Sequence, residues 1–155
     1  MTNSGCNGGL QYKAFEYWET NKAETEEVYP YTSGNGSRPD CQYDASSATS
    51  VNVSEWAYVT ADDVNQMKAA LATQPLAVAI EADRSVFQNY KSGVLDNPLC
   101  GVLLDHAVLT VGWGTDEASG LDYWLVKNSW NTTWGDQGYI KLAIKSGRGI
   151  CGVQM

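Results

Sequence analysis

A chain of 155 residues, 43% of them hydrophobic, is long enough to bury a core as one ordinary domain or two small ones. Its formal net charge of -8 at pH 7 repels polyanions, which excludes nucleic acid and anionic membrane surfaces as partners and favours a cationic or neutral one. No apolar run approaches the roughly 18 residues of a membrane-spanning helix, and Met1 is followed by neither the basic nor the apolar stretch of a signal peptide, so neither leader nor anchor is expected here.

Near the amino terminus lies Gly5-Cys6-Asn7-Gly8-Gly9, and then Leu10, Ala14 and Trp18 recur four apart with Phe15 and Tyr17 beside them. That spacing predicts a helix over 10–18 with one apolar face that needs a partner. Residues 29–54 are rich in Ser, Gly, Asn and Pro and read as a long loop, with Cys41 as a candidate anchor. Near residue 57 the composition turns from helix and loop to β-rich, which divides the chain into 1–57 and 58–155. A second helix is expected after Thr60, with Asp62 and Asp63 in its first turn favouring the positive end of the helix dipole. Its stripe is Val64, Met67 and Leu71, and Gln74-Pro75 stops it. Short apolar or β-branched runs at 76–80, 107–111, 123–126 and 139–144, bounded by Gly, Asp and Asn, are predicted strands. No internal repeat or low-complexity tract is present.

The four cysteines, Cys6, Cys41, Cys100 and Cys151, are too scattered for the paired spacing of a structural zinc site, so pairing fits better than metal. With the sequons at Asn35, Asn52 and Asn131 they suggest a secretory or lysosomal route. His106 is the single histidine and starts a strand; Asn128 follows another. Taken singly, each residue has a bland reading. A lone histidine at a strand start is more often a hydrogen-bonded structural residue than a catalyst. Gly8-Gly9 reads as a turn, Leu10, Ala79 and Leu104 as core, Trp130 as aromatic packing and Asp105 as a solvated acid.

Two segments change that weighing. Asp105-His106-Ala107-Val108 and Lys127-Asn128-Ser129-Trp130, the latter continued in register by Trp134, Gly135, Gly138 and Tyr139, resemble the histidine and asparagine motifs of the papain and cathepsin family of cysteine proteases. Gly5 to Gly9, Tyr29-Pro30-Tyr31, Gln74-Pro75 and Cys151-Gly152 match as well, so the resemblance covers essentially the whole chain. It implies an α+β, papain-like two-domain fold in incomplete form: 1–57 as a remnant of the helical domain with its glycine loop, and 58–155 as most of the β-rich, barrel-like domain without its final strand.

The resemblance also implies roles. His106 would draw the proton from a cysteine thiol, giving a thiolate and imidazolium pair, and Asn128 would fix the ring through its other nitrogen. Trp130 would shield that bond from water. The backbone of Gly8 and Gly9 would pair with an extended peptide, and Leu10, Ala79 and Leu104 would line an apolar pocket for the substrate's second residue. Asp105 would add a secondary electrostatic influence. Cys100 would pair with Cys151. Cys6 and Cys41, whose family counterparts bond elsewhere, would be free, bonded to each other or bonded to another chain.

The family's nucleophile signature, C-G-[SA]-C-[WY], occurs nowhere in the sequence, and its usual spacing places it about 24 to 44 residues before Met1. The expectation is therefore a parent cysteine peptidase with no metal or organic cofactor, of which these residues alone are inactive and expose the unpartnered face of 10–18. Expected partners are a peptide or protein substrate, cystatin-like or propeptide inhibitors, and an N-terminal segment or second chain carrying the sulfur. Two alternatives are a non-catalytic relative that binds peptides or inhibitors in the same cleft, and a secreted β-rich binder that stacks sugars on its six tryptophans and nine tyrosines. The last needs exposed aromatics, whereas the motif expects Trp130 and Trp134 to pack around Asn128.

Overall fold

The computed structural model describes residues 3–155, which form two compact units, one ending at Tyr58 and the other running Val59–Met155.

In the first unit a short 3-10 turn, Gly5–Asn7, precedes helix α1, Gln11–Thr20. Everything after α1 is irregular apart from a 3-10 turn at Ser33–Asn35. Bonds between residues distant in sequence hold this segment together. Ala23 N–H donates to Val51 O at 2.8 Å, Thr49 N–H to Ala23 O at 2.8 Å and Val53 N–H to Trp18 O at 3.2 Å. Glu24 accepts from the Ser47 hydroxyl at 2.5 Å, tying residues far apart in the loop. Tyr12, Trp56 and Tyr58 make an aromatic cluster with centroids 5.1–6.2 Å apart. No residue of α1 is buried, and Leu10 at its N-cap is 53% exposed. The expected apolar face is therefore only partly open: Leu10 and Tyr17 are exposed, whereas Ala14, Phe15 and Trp18 are half-buried.

The second unit begins with helix α2, Val64–Leu71, capped by Asp63, whose carboxylate accepts from the Asn65 and Gln66 N–H groups. Asp62 stands outside the helix at φ 62°, so it belongs to the approach and not, as expected, to the first turn. The stripe behaves as its spacing requires, with Met67 and Leu71 buried. The chain then runs through strand β1 (Leu76–Ile80), helix α3 (Ser85–Gln88), β2 (Val94–Leu95), β3 (His106–Thr115), β4 (Asp122–Lys127) and β5 (Tyr139–Ala143). The sheet order is β1-β3-β4-β5-β2, antiparallel except for β2 beside β5, and β3 shifts register between Thr110 and Gly112. β2 and α3, two and four residues long, are too short to show a period and were not expected.

Alternation along the strands builds the core. Trp124 and Val126 on β4, Ile140 and Leu142 on β5, and Ile80 at the end of β1 are fully enclosed with Phe87 of α3. The buried Trp124 indole N–H donates to Gln154 Oε1 at 3.0 Å. The Gln154 amide donates in turn to Lys145 O and Gly147 O, both at 2.7 Å, so the carboxy-terminal turn is stitched into the core. Cys100 and Cys151 form a buried disulfide, as the resemblance implies, and Cys6 and Cys41 are free and exposed thiols. No helix among the described residues is long and apolar enough to cross a membrane.

Candidate active site

The antiparallel pairing of β3 with β4 sets Leu109 opposite Lys127, so the first residue of β3 and the residue after β4 meet at one end of the sheet. Those residues are His106 and Asn128. The His106 ring nitrogen Nε2 lies 2.8 Å from Asn128 Oδ1. The same Oδ1 accepts the Ser129 N–H at 2.7 Å, which identifies it as the oxygen of the carboxamide and not its nitrogen. Because a carboxamide oxygen only accepts, Nε2 carries the proton in this bond, and a neutral ring keeps its lone pair on Nδ1. Asn128 is held from behind, its backbone N–H donating to Gly138 O at 3.0 Å, and it is only 8% exposed.

Trp130 lies over the imidazole, the two centroids 5.0 Å apart and the planes tilted by 31°. Its edge-to-face neighbours are Phe87 at 5.5 Å and Trp134 at 5.4 Å. Trp134 is buried and its indole N–H donates to Gln88 O at 3.1 Å, so the stack is fastened to the end of α3. Trp130 itself remains 36% exposed. The loop carrying these rings turns through positive φ at Asn131 (70°), Gly135 (60°) and Gly138 (90°). A side chain at Gly135 would put its Cβ 2.5 Å from Tyr139 O, which explains glycine there.

Around the imidazole, Ala79 pairs with Ala107 across β1 and β3 and is half-buried. Leu104 is 42% exposed and packs beside Gly152. Asp105 does more than the solvated acid of its bland reading: its N–H donates to Ile80 O at 2.9 Å and its Oδ1 accepts the Ala82 N–H at 2.8 Å. Sequence reasoning missed Glu81, a carboxylate almost without solvent exposure at 1%. It accepts the Leu103 N–H and the Arg84 Nε–H, and these donors, the Leu103 amide foremost, hold its pKa below the usual carboxylate range against the opposing effect of burial. No sequence pattern marks such a residue, since an acid after a strand reads as solvated.

Gly8, Gly9 and Leu10 belong to the first unit. Gly8 has φ 90°, and a side chain on Gly9 would collide with Asn3. Asn3 grips Leu10 at both backbone groups, accepting its N–H at 2.9 Å and donating to its carbonyl at 3.1 Å, a clamp that sequence reasoning also missed. Both glycines leave their backbone exposed. Among the described residues no group of three or more His, Cys, Asp or Glu side chains is placed to hold a metal ion.

Comparison with known proteins gives this geometry its context. The chain is 46% identical over 154 residues to cathepsin L of Sarcophaga peregrina, covering 97% of this chain and 44% of that protein. It is 45% identical over 156 residues to the probable cysteine protease RD21B of Arabidopsis thaliana, covering 99% of this chain and 32% of that one. The chain thus spans about a third to under half the length of the curated relatives it matches. Among solved structures, the bromelain protease of Ananas comosus, determined with a bound inhibitor, superimposes with a TM-score of 0.88 at 38% identity, over 99% of this chain and 69% of that one. The ragweed pollen allergen Amb a 11, a cysteine protease in its proform, does so with a TM-score of 0.90 at 37% identity, over 100% of this chain and 46% of that one. The fold is accordingly a mixed α+β, papain-like one, and the family model for papain family cysteine proteases matches residues 1–155 throughout. The chain belongs to the papain family of cysteine proteases.

Proposed function

We propose that this chain is the histidine- and asparagine-bearing part of a cysteine peptidase whose nucleophilic thiol lies outside these 155 residues. The observation that carries the reading is the 2.8 Å contact between His106 Nε2 and Asn128 Oδ1, which leaves Nδ1 as the base. His106 takes the thiol proton, and the thiolate attacks the carbonyl carbon of the scissile peptide bond. The imidazolium returns that proton to the leaving amine, which departs and leaves a thioester. Water, deprotonated by the same ring, hydrolyses the thioester and regenerates the thiol. Asn128 keeps the ring in one tautomer throughout, and Trp130 keeps water from competing for the hydrogen bond between them.

Substrates are extended peptides. In the first unit the bare backbone of Gly8 and Gly9 pairs with the peptide main chain and Leu10 offers an apolar contact; in the second unit Ala79 and Leu104 receive an apolar side chain, and Asp105 adds negative charge beside the histidine. A propeptide or a cystatin-like inhibitor competes with the substrate for these residues. A vacuolar, lysosomal or extracellular location suits the disulfide and the sequons. Neither free thiol of this chain serves as nucleophile, so the 155 residues alone do not hydrolyse peptides.

The test assays the complete polypeptide, including its nucleophile segment, and the 155-residue chain on a fluorogenic peptide. Hydrolysis is expected from the first only, and His106→Ala should remove it by a factor on the order of 10⁴ to 10⁶. Tight binding of the peptide by the complete polypeptide without turnover would instead support a non-catalytic peptide binder.

A further inference from the structure

The segment 101–105 leads from the disulfide-bonded Cys100 into His106, yet it is neither helix nor strand. It is fixed at three points to residues 80–82. Ile80 O accepts the Asp105 N–H at 2.9 Å, Ala82 donates its N–H to Asp105 Oδ1 at 2.8 Å, and the Glu81 carboxylate accepts the Leu103 N–H. Only the last uses a buried ionised side chain. Arg84 Nε, 2.5 Å from Glu81 Oε1, supplies the counter-charge, while its own side chain is half-exposed at 49%. Gly101 has φ 75° and no room for a Cβ, because the Glu81 carboxylate occupies that space. The Glu81 N–H is itself pinned, donating to Cys151 O at 2.8 Å.

A buried carboxylate is costly unless its oxygens are satisfied, so this one holds its geometry firmly once they are. We propose that Glu81 is a positioning and specificity-determining residue: by gripping the Leu103 amide it sets the Leu103-Leu104 backbone, and so the wall that Leu104 presents to the substrate's apolar side chain. This inference rests on the peptidase reading. Nothing of Glu81 touches the reacting atoms; it acts through Leu103 and Leu104.

The consequence is a split in kinetics. Glu81→Ala removes the acceptor, whereas Glu81→Gln keeps an acceptor for Leu103 and loses only the charge. In the complete polypeptide, Glu81→Ala should raise KM for peptides with an apolar residue at the second position about tenfold, with kcat within about twofold, because binding common to ground and transition states is lost. Preference for apolar over polar side chains there should shrink by a similar factor, and Glu81→Gln should restore most of both. A merely structural role would lower the amount of active enzyme and leave KM and preference unchanged, which would overturn the proposal. Amide exchange at Leu103 provides a second readout that requires no catalysis: it should quicken at least about tenfold in Glu81→Ala, and unchanged exchange also overturns the proposal. If the unsubstituted polypeptide hydrolyses no peptide, the peptidase reading fails and the specificity role with it, while Leu103 exchange still decides whether the clamp exists.

Discussion

The Asn131 backbone stands at φ 70° with its carbonyl oxygen accepting the Trp134 N–H at 3.3 Å, so the turn that presents Trp130 to the imidazole is closed by a residue in the left-handed region. The Asn131 Oδ1 also accepts the Thr132 N–H at 2.6 Å, which eases a conformation other side chains resist. Asn131→Gly should keep the turn and stay within about 1 kcal/mol of the parent in stability, and Asn131→Val should destabilise it by about 1–3 kcal/mol. Chemical denaturation of the three proteins checks the order.

The Asn128 carboxamide is the ring's only partner at Nε2 among the described hydrogen bonds. A hydrogen bond to a group that becomes charged is worth about 1.5–3 kcal/mol, so Asn128→Ala should slow the complete enzyme by roughly 10- to 150-fold. Trp130→Ala, which uncovers the same bond, should slow it less and leave Asn128 in place. Steady-state kinetics on one peptide gives both values.

Much of this site was legible in the sequence, but only as a pair. His106 alone carried no signal that separated a base from a structural histidine, and Asn128 carried less; the two motifs together placed them, and strand pairing explains why residues 22 apart meet. β1 was readable to its ends, Leu76–Ile80, because a continuous apolar run stopped by Pro75 on one side and charge on the other has one reading. The clamp by Glu81 and the grip of Asn3 on Leu10 were not readable, since each joins residues through space with no periodicity to announce it. Asp62 misled because acidic residues favour helix starts, yet only Asp63 caps this one.

Reduction should weaken the second unit markedly. The Cys100–Cys151 bond closes a separation of 51 residues, an entropy effect of roughly 4 kcal/mol, and both sulfurs are buried. Replacing both cysteines by serine should lower the unfolding free energy by about 2–4 kcal/mol, measured by denaturant titration. The parent should resist mild reductant until it unfolds.

Acid should act through Glu81, whose pKa in the folded chain lies below that of the unfolded chain. Its contribution is fully present above the ordinary glutamate value of about 4.3 and is lost as pH falls below that toward the folded value. Arg84 is its charged partner, and Asp83 and Asp105 are the carboxylates nearest that guanidinium. Glu81→Gln should therefore flatten the fall in melting temperature between about pH 4.5 and the acid limit, with little change in slope above it.

Under the proposed function, His106, oriented by Asn128, converts a thiol supplied from outside these residues into a thiolate. The most direct measurement is the pH dependence of iodoacetamide alkylation of the nucleophilic cysteine in the complete polypeptide. Alkylation already fast at pH 5 in the parent, and following an ordinary thiol with a pKa near 8.5 in His106→Ala, is the expected result. Identical profiles for the two proteins would contradict it.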